Sequence, residues 1–371
     1  MNMTYAGTGV NYGTMDLLKR SAQAAGADTD EFIRRFGFSV VGWSRGESVF
    51  VIKTAIGYFG LVIEGLGTKN LVADLYREVC EALATMGKTF FDHIGQCNAA
   101  MAFNDMCVLG LRPIAYGQYL AMANGEWPKD ELRRQQLIEG TKLACVLARC
   151  PWGCGETTTL SGIIVPGTVD LAGATIGFCP TNQLIDPASI QHGDTIVIIE
   201  SSGIHANGLT LARKIADKLP EGYLTKLPDG RTYGETLLDP THIYVGLVED
   251  CLNAGVEIHY VVNVTGHGWR KFMRAPGNFT YVIETLPRQL LIFDFIQQHG
   301  PVDDDEAYGN LNMGGGFALY VPGVDDAEVI IQIAGELGLP AFVAGHIEAG
   351  DRKVVIEPKG LVYGAETLEV R

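Results

Sequence analysis

The chain has 371 residues, with 28 Lys and Arg against 43 Asp and Glu, so its formal charge is −15. Hydrophobic residues make up 47% and charged residues 19%, which supplies a large core and excludes a disordered chain. The acidic balance argues against a general nucleic-acid binder, because neutralising phosphates requires clustered Lys and Arg. At roughly 100–200 residues per domain, the length predicts two or three domains.

Membrane and secretory signals are missing from the sequence. No run reaches the roughly 18 consecutive apolar residues of a membrane helix, and residues 1–5 do not begin a signal peptide. The eight cysteines are scattered, several within apolar patterns where cysteine acts as a small hydrophobe. Cys150 and Cys154 lack the second pair that a zinc site needs. We expect reduced cysteines and a cytoplasmic protein.

The first half alternates strands and helices. Apolar residues at helical spacing predict helices at 15–25, 71–86, 90–109 and 129–148. β-Branched runs and period-2 alternation predict strands at 48–53, 58–64, 113–123 and 168–179. A Gly/Thr-rich stretch at 153–162 is predicted to be a loop.

The chain becomes loop-like at 180–192, where we place a domain boundary, giving domains 1–180 and 181–371. Helices are predicted in the second half at 209–219, 241–254, 268–274 and 289–299. Strands are predicted at 195–200, 258–262, 280–284, 315–321, 341–347 and 353–356. Because strands and helices are comparably frequent in both halves, the fold class is α+β with two domains.

The segment at 64–70 joins a predicted strand to a predicted helix. Gly65 and Gly67 permit close backbone approach, and free amides with Thr68 and Lys69 could hold a phosphate. Glu64 could bind Mg²⁺. The alternative is an ordinary strand–helix turn capped by Thr68.

Asn104 and Asp105 interrupt an otherwise apolar helix. Burying such groups costs several kcal/mol unless they are paired or bind a metal. They therefore mark a nucleotide or metal site, or else a satisfied core pair or a kink.

Three further segments place polar residues between apolar elements. Glu156 follows Gly155 and precedes three threonines, which suits either a nucleotide contact or an ordinary surface loop. His205 and Asn207 lie before a predicted helix, where unpaired amides favour anions. Thr265 and Gly266 repeat this arrangement before another helix, although a loop histidine can equally be structural.

Taken in order, these segments resemble the aminoimidazole ribonucleotide (AIR) synthase family, the phosphoribosylformylglycinamidine cyclo-ligases of purine synthesis. The resemblance covers nearly the whole chain. The matching segments are Tyr5…Thr8-Gly9-Val10-Asn11-Tyr12, Gly65-Leu66-Gly67-Thr68-Lys69, Asn104-Asp105…Gly110…Pro113, Gly155-Glu156-Thr157, Ser201–Gly208, Thr265-Gly266-His267-Gly268 and Asn312–Gly316.

The resemblance implies a homodimer whose N-terminal-domain strands pair into a barrel, with ATP and Mg²⁺ bound in that half, partly at the interface. ATP would phosphorylate the formyl amide oxygen of an anionic ribonucleotide, and ring closure would expel phosphate. It implies catalytic roles for His205, Lys69 and Asp105, with His205 the best acid/base, and metal binding by Glu64 and Asp105. The nucleotide contacts would be Gly65, Gly67, Thr68, Lys69, Asn104, Gly155, Glu156 and Thr157, and the substrate contacts His205, Asn207, Thr265 and Gly266.

Three positions depart from the family pattern. Glu64 stands where the family has Asp, Cys97 where it has Asp, and Thr159 where it has Glu. Because thiols and hydroxyls are poor Mg²⁺ ligands, two readings stay open beside the cyclo-ligase. These are a paralogue that activates another amide or phosphate acceptor, and a non-catalytic nucleotide-binding scaffold.

Overall fold

The computed structural model describes residues 3, 4, 7, 9, 12–82 and 89–368. Four positions of the first matching segment (5, 8, 10 and 11) and the end of the helix predicted at 71–86 lie outside them. No helix in the described part of the chain is long and apolar enough to cross a bilayer.

Thirteen strands and ten α-helices make up the regular structure of the described residues. The helices are α1 Tyr12–Ala27, α2 Lys69–Ala82, α3 Phe91–Cys107, α4 Glu131–Leu147, α5 Leu209–Ala216, α6 Tyr233–Leu237, α7 Val245–Asn253, α8 Leu291–His299, α9 Asp304–Asn310 and α10 Val324–Glu336. The strands are β1 Ser39–Val40, β2 Phe50–Lys53, β3 Tyr58–Gly65, β4 Arg112–Met122, β5 Trp152–Thr159, β6 Val169–Cys179, β7 Thr195–Glu200, β8 Tyr260–Asn263, β9 Phe279–Ile283, β10 Gly315–Val321, β11 Ala341–Ala349, β12 Lys353–Ile356 and β13 Leu361–Gly364.

The strands form two sheets, one from each half of the chain, which agrees with the predicted α+β class. The first has the order β1-β2-β3-β6-β4-β5 and the second β13-β12-β9-β11-β7-β10-β8. Neighbours are antiparallel except β4–β5 and β12–β9. All strands of the first sheet end by Cys179 and all of the second begin at Thr195 or later; the boundary at 180–181 stays a prediction.

The prediction of a loop at 153–162 is wrong over most of its length. Residues 152–159 form β5, an exposed edge strand that pairs in parallel with β4. The Gly and Thr residues of β5 give no alternating apolar pattern from which a strand could be predicted. An edge strand that is exposed on both faces does not need one.

Helix α3 is the core of the first half. Fifteen of its 17 residues are buried, and it packs between the first sheet and α4. Glycines allow α3 and α4 to approach closely: an added Cβ at Gly140 would lie 1.8 Å from Asp92 O, and one at Gly95 would lie 2.5 Å from Leu137 O.

Polar side chains join the two halves at an irregular segment, Leu238–Tyr244. Five consecutive carbonyls of this segment, 238–242, each meet a polar side chain. In order, the side-chain atoms are His93 Nδ1 (2.9 Å), Lys69 Nζ (2.5 Å), Ser202 Oγ (2.5 Å), Gln96 Nε2 (2.9 Å) and Asn104 Nδ2 (2.8 Å). Because irregular backbone lacks ladder partners, these side chains supply the hydrogen bonds that its burial requires.

We expect Gly140→Ala to lower the free energy of unfolding by about 3 kcal/mol, because the methyl group would force α3 and α4 apart. Chemical denaturation measures this change. Gly125→Ala is the matched control, since nothing lies within 4 Å of its added Cβ. Equal stabilities of the two variants would contradict the close helix crossing.

Candidate active site

A cavity of about 460 Å³ lies between the two halves of the molecule, within the usual range for a small-molecule site. Its walls come from Lys19 of α1, residues 47–48, the end of β3, the loop 66–68, one turn of α3 and, in the second half, residues 206–210, 263, 265–267, 271, 274 and 368. Of the predicted site residues, it brings together Glu64, Gly65, Gly67, Thr68, Asp105, Asn207, Thr265 and Gly266.

Two helix N-termini meet at this cavity. Residues 65–68 line it immediately before α2, and residues 207–210 line it at the start of α5. Gly67 and Gly208 both adopt φ 77°, a left-handed conformation that glycine takes without strain. Helix N-termini present unpaired amides and positive partial charge, so this wall is suited to an anion.

Three carboxylates line the same cavity: Glu47, which pairs with Arg274, and Glu64 and Asp105, which interact with each other. Asp105 accepts a hydrogen bond of 2.7 Å from Asn263 Nδ2, which fixes one carboxylate oxygen. Burial, with the negative charge of Asp105, raises the pKa of Glu64 to about 7, against the opposing charges of Lys271, Arg274 and Lys19. Desolvation is the main cause of this rise and the like charge of Asp105 adds to it, so a cation bound between the two carboxylates would favour the ionised form of Glu64.

The described residues contain no cluster of three or more His, Cys, Asp or Glu side chains that could hold a metal alone. Mg²⁺ commonly binds through one or two carboxylates, with phosphate oxygens and water completing its shell. Glu64 and Asp105 fit that donor set. Cys97 and Thr159 do not line the cavity; Cys97 Sγ accepts instead from Thr241 N at 3.2 Å.

Three basic side chains that the sequence did not predict line the cavity: Lys19 of α1, and the pair Lys271 and Arg274. This pair belongs to a turn of 3₁₀-helix, Gly268–Met273, and the residue that ends it. In a 3₁₀-helix, residues three apart share a face, so Lys271 and Arg274 face the cavity while Trp269 and Phe272 are fully buried. The three-residue spacing after Gly268 was the available signal.

Lys69 does not reach the cavity. It is fully buried, and its Nζ donates to His205 O at 2.7 Å and Asp239 O at 2.5 Å. The predicted contacts of Lys69 with phosphate do not fit this geometry, because reaching the cavity would break both bonds within the core. Lys69 instead ties α2 to the second half.

Asn104 also has a structural contact in place of the predicted nucleotide contact. Its Nδ2 donates to His242 O at 2.8 Å, and its Oδ1 accepts from Tyr244 N at 2.9 Å. The alternative of a satisfied core residue therefore fits Asn104, whereas its neighbour Asp105 faces the cavity.

His205 lies beneath the cavity wall. His205 is only 2% exposed, and its Nε2 accepts a hydrogen bond of 3.3 Å from Ser202 N. Burial, with the charges of His242 and Lys69, holds the pKa of His205 well below its usual range. The predicted acid/base and substrate roles do not fit a neutral ring that is absent from the cavity wall. Its backbone, at φ 58°, shapes the loop.

Asn207, two residues on, does face the cavity. Its Nδ2 is buried and has no hydrogen-bond partner among the described residues. Because an unpaired buried donor is costly, Asn207 is a strong candidate for a ligand contact.

His267 also lines the cavity. It adopts φ 69°, a conformation that favours glycine. Burial, with the charge of Lys271, lowers the pKa of His267 to about 4, so its ring is neutral near pH 7.

Gly155, Glu156 and Thr157 lie on edge strand β5 and do not line the cavity. Glu156 is exposed. One chain alone therefore does not bring this segment to the other candidate residues.

Comparison with known proteins gives a consistent result over most of the chain. The descriptions "AIR synthase related protein, N-terminal domain" and "AIR synthase related protein, C-terminal domain" match residues 74–179 and 191–357. The phosphoribosylformylglycinamidine cyclo-ligase of Methanocaldococcus jannaschii is 34% identical over 304 residues, which are 80% of this chain and 81% of that enzyme. The chain belongs to the AIR synthase family.

A second relative extends the match nearly end to end. The phosphoribosylformylglycinamidine cyclo-ligase of Carboxydothermus hydrogenoformans is 31% identical, covering 95% of this chain and 98% of that enzyme. The resemblance inferred from the seven segments is therefore confirmed.

Solved structures share the fold of this AIR synthase family member at low identity. A HypE–HypF complex has a TM-score of 0.58 at 15% identity and covers 86% of this chain and 92% of that chain. AaThiL complexed with AMPPCP and TMP has a TM-score of 0.58 at 13% identity, covering 95% and 94%. These similarities support the two-domain architecture.

The lowered pKa of His205 predicts a pH dependence of stability. Below the ordinary histidine pKa of about 6.5, His205 takes up a proton in the unfolded chain but stays neutral in the folded protein. The contribution of His205 to the free energy of unfolding is therefore fully present at higher pH. It is lost as the pH falls below about 6.5, by about 1.4 kcal/mol per pH unit.

The test compares denaturation of the wild type and His205→Asn at pH 5 to 8, since Asn tolerates positive φ. We expect a shallower loss of stability in this variant. Replacing the exposed His192 by Asn is the control and should preserve the slope. The same slope in His205→Asn as in wild type would contradict the assignment.

Proposed function

We propose that the protein is the ATP-dependent cyclo-ligase that converts formylglycinamidine ribonucleotide to aminoimidazole ribonucleotide, releasing ADP and phosphate. The observation that carries this proposal is one cavity in which two helix N-termini, three carboxylates and three basic side chains converge. Its relatives named as cyclo-ligases align over four fifths or more of both chains. A paralogue with another acceptor is therefore not favoured.

The amide-lined wall at 65–68 and 207–210 is the proposed site of the ATP phosphates. Backbone amides bind phosphate oxygens without requiring a basic surface. This matters in a chain of charge −15, because positive potential must be concentrated locally. Asn207 would orient the substrate with its unpaired amide, beside Thr265 and Gly266.

Phosphoryl transfer depends mainly on positioning and charge neutralisation. The γ-phosphoryl group moves to the formyl amide oxygen as its bond to ADP breaks. The amidine nitrogen of the substrate then attacks the activated carbon, loses a proton and expels phosphate with that oxygen. Glu64 and Asp105 would hold Mg²⁺, which supplies neutralisation of phosphate charge when bound.

The outer face of the first sheet supports the proposal of a homodimer. Leu61 and Ile176 lie directly opposite each other on β3 and β6 and are 46% exposed each, and Ile63 is 71% exposed. Exposed contiguous apolar side chains are typical of an interface. We propose that two such faces pair into a barrel.

The homodimer would also give the β5 segment a role. Gly155, Glu156 and Thr157 would contact nucleotide across the interface, since they do not line the cavity of their own chain. The predicted cytoplasmic location remains a prediction.

Incubating purified protein with ATP, Mg²⁺ and formylglycinamidine ribonucleotide tests the proposal. We expect equal amounts of ADP, phosphate and aminoimidazole ribonucleotide. Glu64→Gln should lower turnover by about 100-fold, because the cation and its phosphate contacts lose a charged ligand. Glu328→Gln, at an exposed position of α10, is the control and should retain activity.

Two results would contradict the proposal. Turnover with a different amide acceptor alone would favour the paralogue. Nucleotide binding without ADP release from any acceptor would favour the scaffold.

A further inference from the structure

The cavity contains a lysine, Lys271, to which the function proposed above assigns no role. The Nζ of Lys271 donates a hydrogen bond to the hydroxyl of Thr265. A lysine ammonium has three donors, and Thr265 Oγ1 is its single acceptor among the described residues. Donors therefore remain for a ligand.

The other basic residues at or near the cavity are either bound to several protein groups or exposed to solvent. Arg274 donates to Ser48 Oγ at 2.6 Å and Gly46 O at 3.0 Å, and its Nε lies 3.5 Å from Glu47. Lys19 pairs with Asp16 at 3.3 Å, and its side chain is 45% exposed. Lys69 is bound to two carbonyls in the core.

From these contacts we propose that Lys271, and not Lys69, is the catalytic cation that contacts the transferred phosphoryl group. The inference rests on the proposed function. It assigns Lys271 to the γ-phosphate of bound ATP and to the same group as it moves to the amide oxygen.

The charge distribution supports this assignment. Lys271 shares the cavity with the amide wall at 65–68 and with Glu64 and Asp105. Burial, with the charge of Arg274, lowers the pKa of Lys271 to about 8, against the opposing charges of Asp105 and Glu64. An arriving phosphate would add negative charge beside the ammonium and favour its protonated form.

Lys271 forms and breaks no covalent bond in the proposed phosphoryl transfer. The bond between the γ-phosphorus and the β–γ bridging oxygen breaks, that oxygen leaves with ADP, and a new bond forms to the amide oxygen. Lys271 keeps its protons throughout. Its ammonium neutralises charge on the peripheral oxygens, the contribution expected of a basic residue in phosphoryl transfer.

The test compares Lys271→Met, Lys271→Gln and Lys271→Arg with Lys129→Met, an exposed control. We expect kcat to fall by about 100-fold in the two neutral variants and by about tenfold in the Arg variant. KM for ATP should change much less than kcat. Lys129→Met should behave as wild type. Lys271→Gln provides the neutral variant if Lys271→Met does not fold.

Binding supplies a readout other than activity. Isothermal titration with ATP and ADP should show that wild type prefers ATP and that the neutral variants lose this preference, because ADP lacks the γ-phosphate.

Unchanged kcat and unchanged ATP preference in the neutral variants would overturn the inference. Tighter Mg²⁺ binding by the neutral variants, together with unchanged turnover, would also overturn the inference. Lys271 would then only neutralise the charge of the carboxylates. Failure of wild type itself to release ADP would instead overturn the proposed function, so the two failures are distinguishable.

Discussion

The site depends on the hydrogen bonds of an irregular, partly buried segment, Leu238–Tyr244, where the two halves of the chain meet. Five successive carbonyls of that segment meet side chains, three of which come from α3. Irregular buried backbone is stable only when its polar groups are paired. The need to pair them holds the second half against α3, and the cavity forms where the halves meet beside this contact.

This constraint divides the polar residues of the first half into two sets. Lys69 and Asn104 bind the buried segment, whereas Glu64 and Asp105 face the cavity. The adjacent pair Asn104-Asp105 shows the division most clearly, because one turn of α3 supplies both a structural clamp and a cavity carboxylate. The cavity then draws positive charge from two helix N-termini and from Lys271.

Much of this arrangement could be predicted from the sequence. The α+β class, most elements and the segments around 64–68, 105 and 207 are local patterns that a single sequence carries. The hydrogen-bond partners of Lys69 and Asn104 could not be predicted, because these carbonyls lie more than 130 positions away along the chain. For Asn104 the sequence left a satisfied core residue open as an alternative, but it could not decide between the alternatives. For the same reason, His205 was identified as an acid/base from a loop whose burial only the tertiary fold determines. β5 was missed because an exposed edge strand leaves no apolar alternation.

A crystal structure with Mg²⁺ and a non-hydrolysable ATP analogue would show which lysine contacts the triphosphate. We predict that Lys69 Nζ keeps both carbonyl bonds while the triphosphate lies along residues 65–68, with its γ-phosphate against Lys271 and its metal against Glu64 and Asp105. A Lys69 side chain turned onto the triphosphate, or a triphosphate bound outside this cavity, would contradict it.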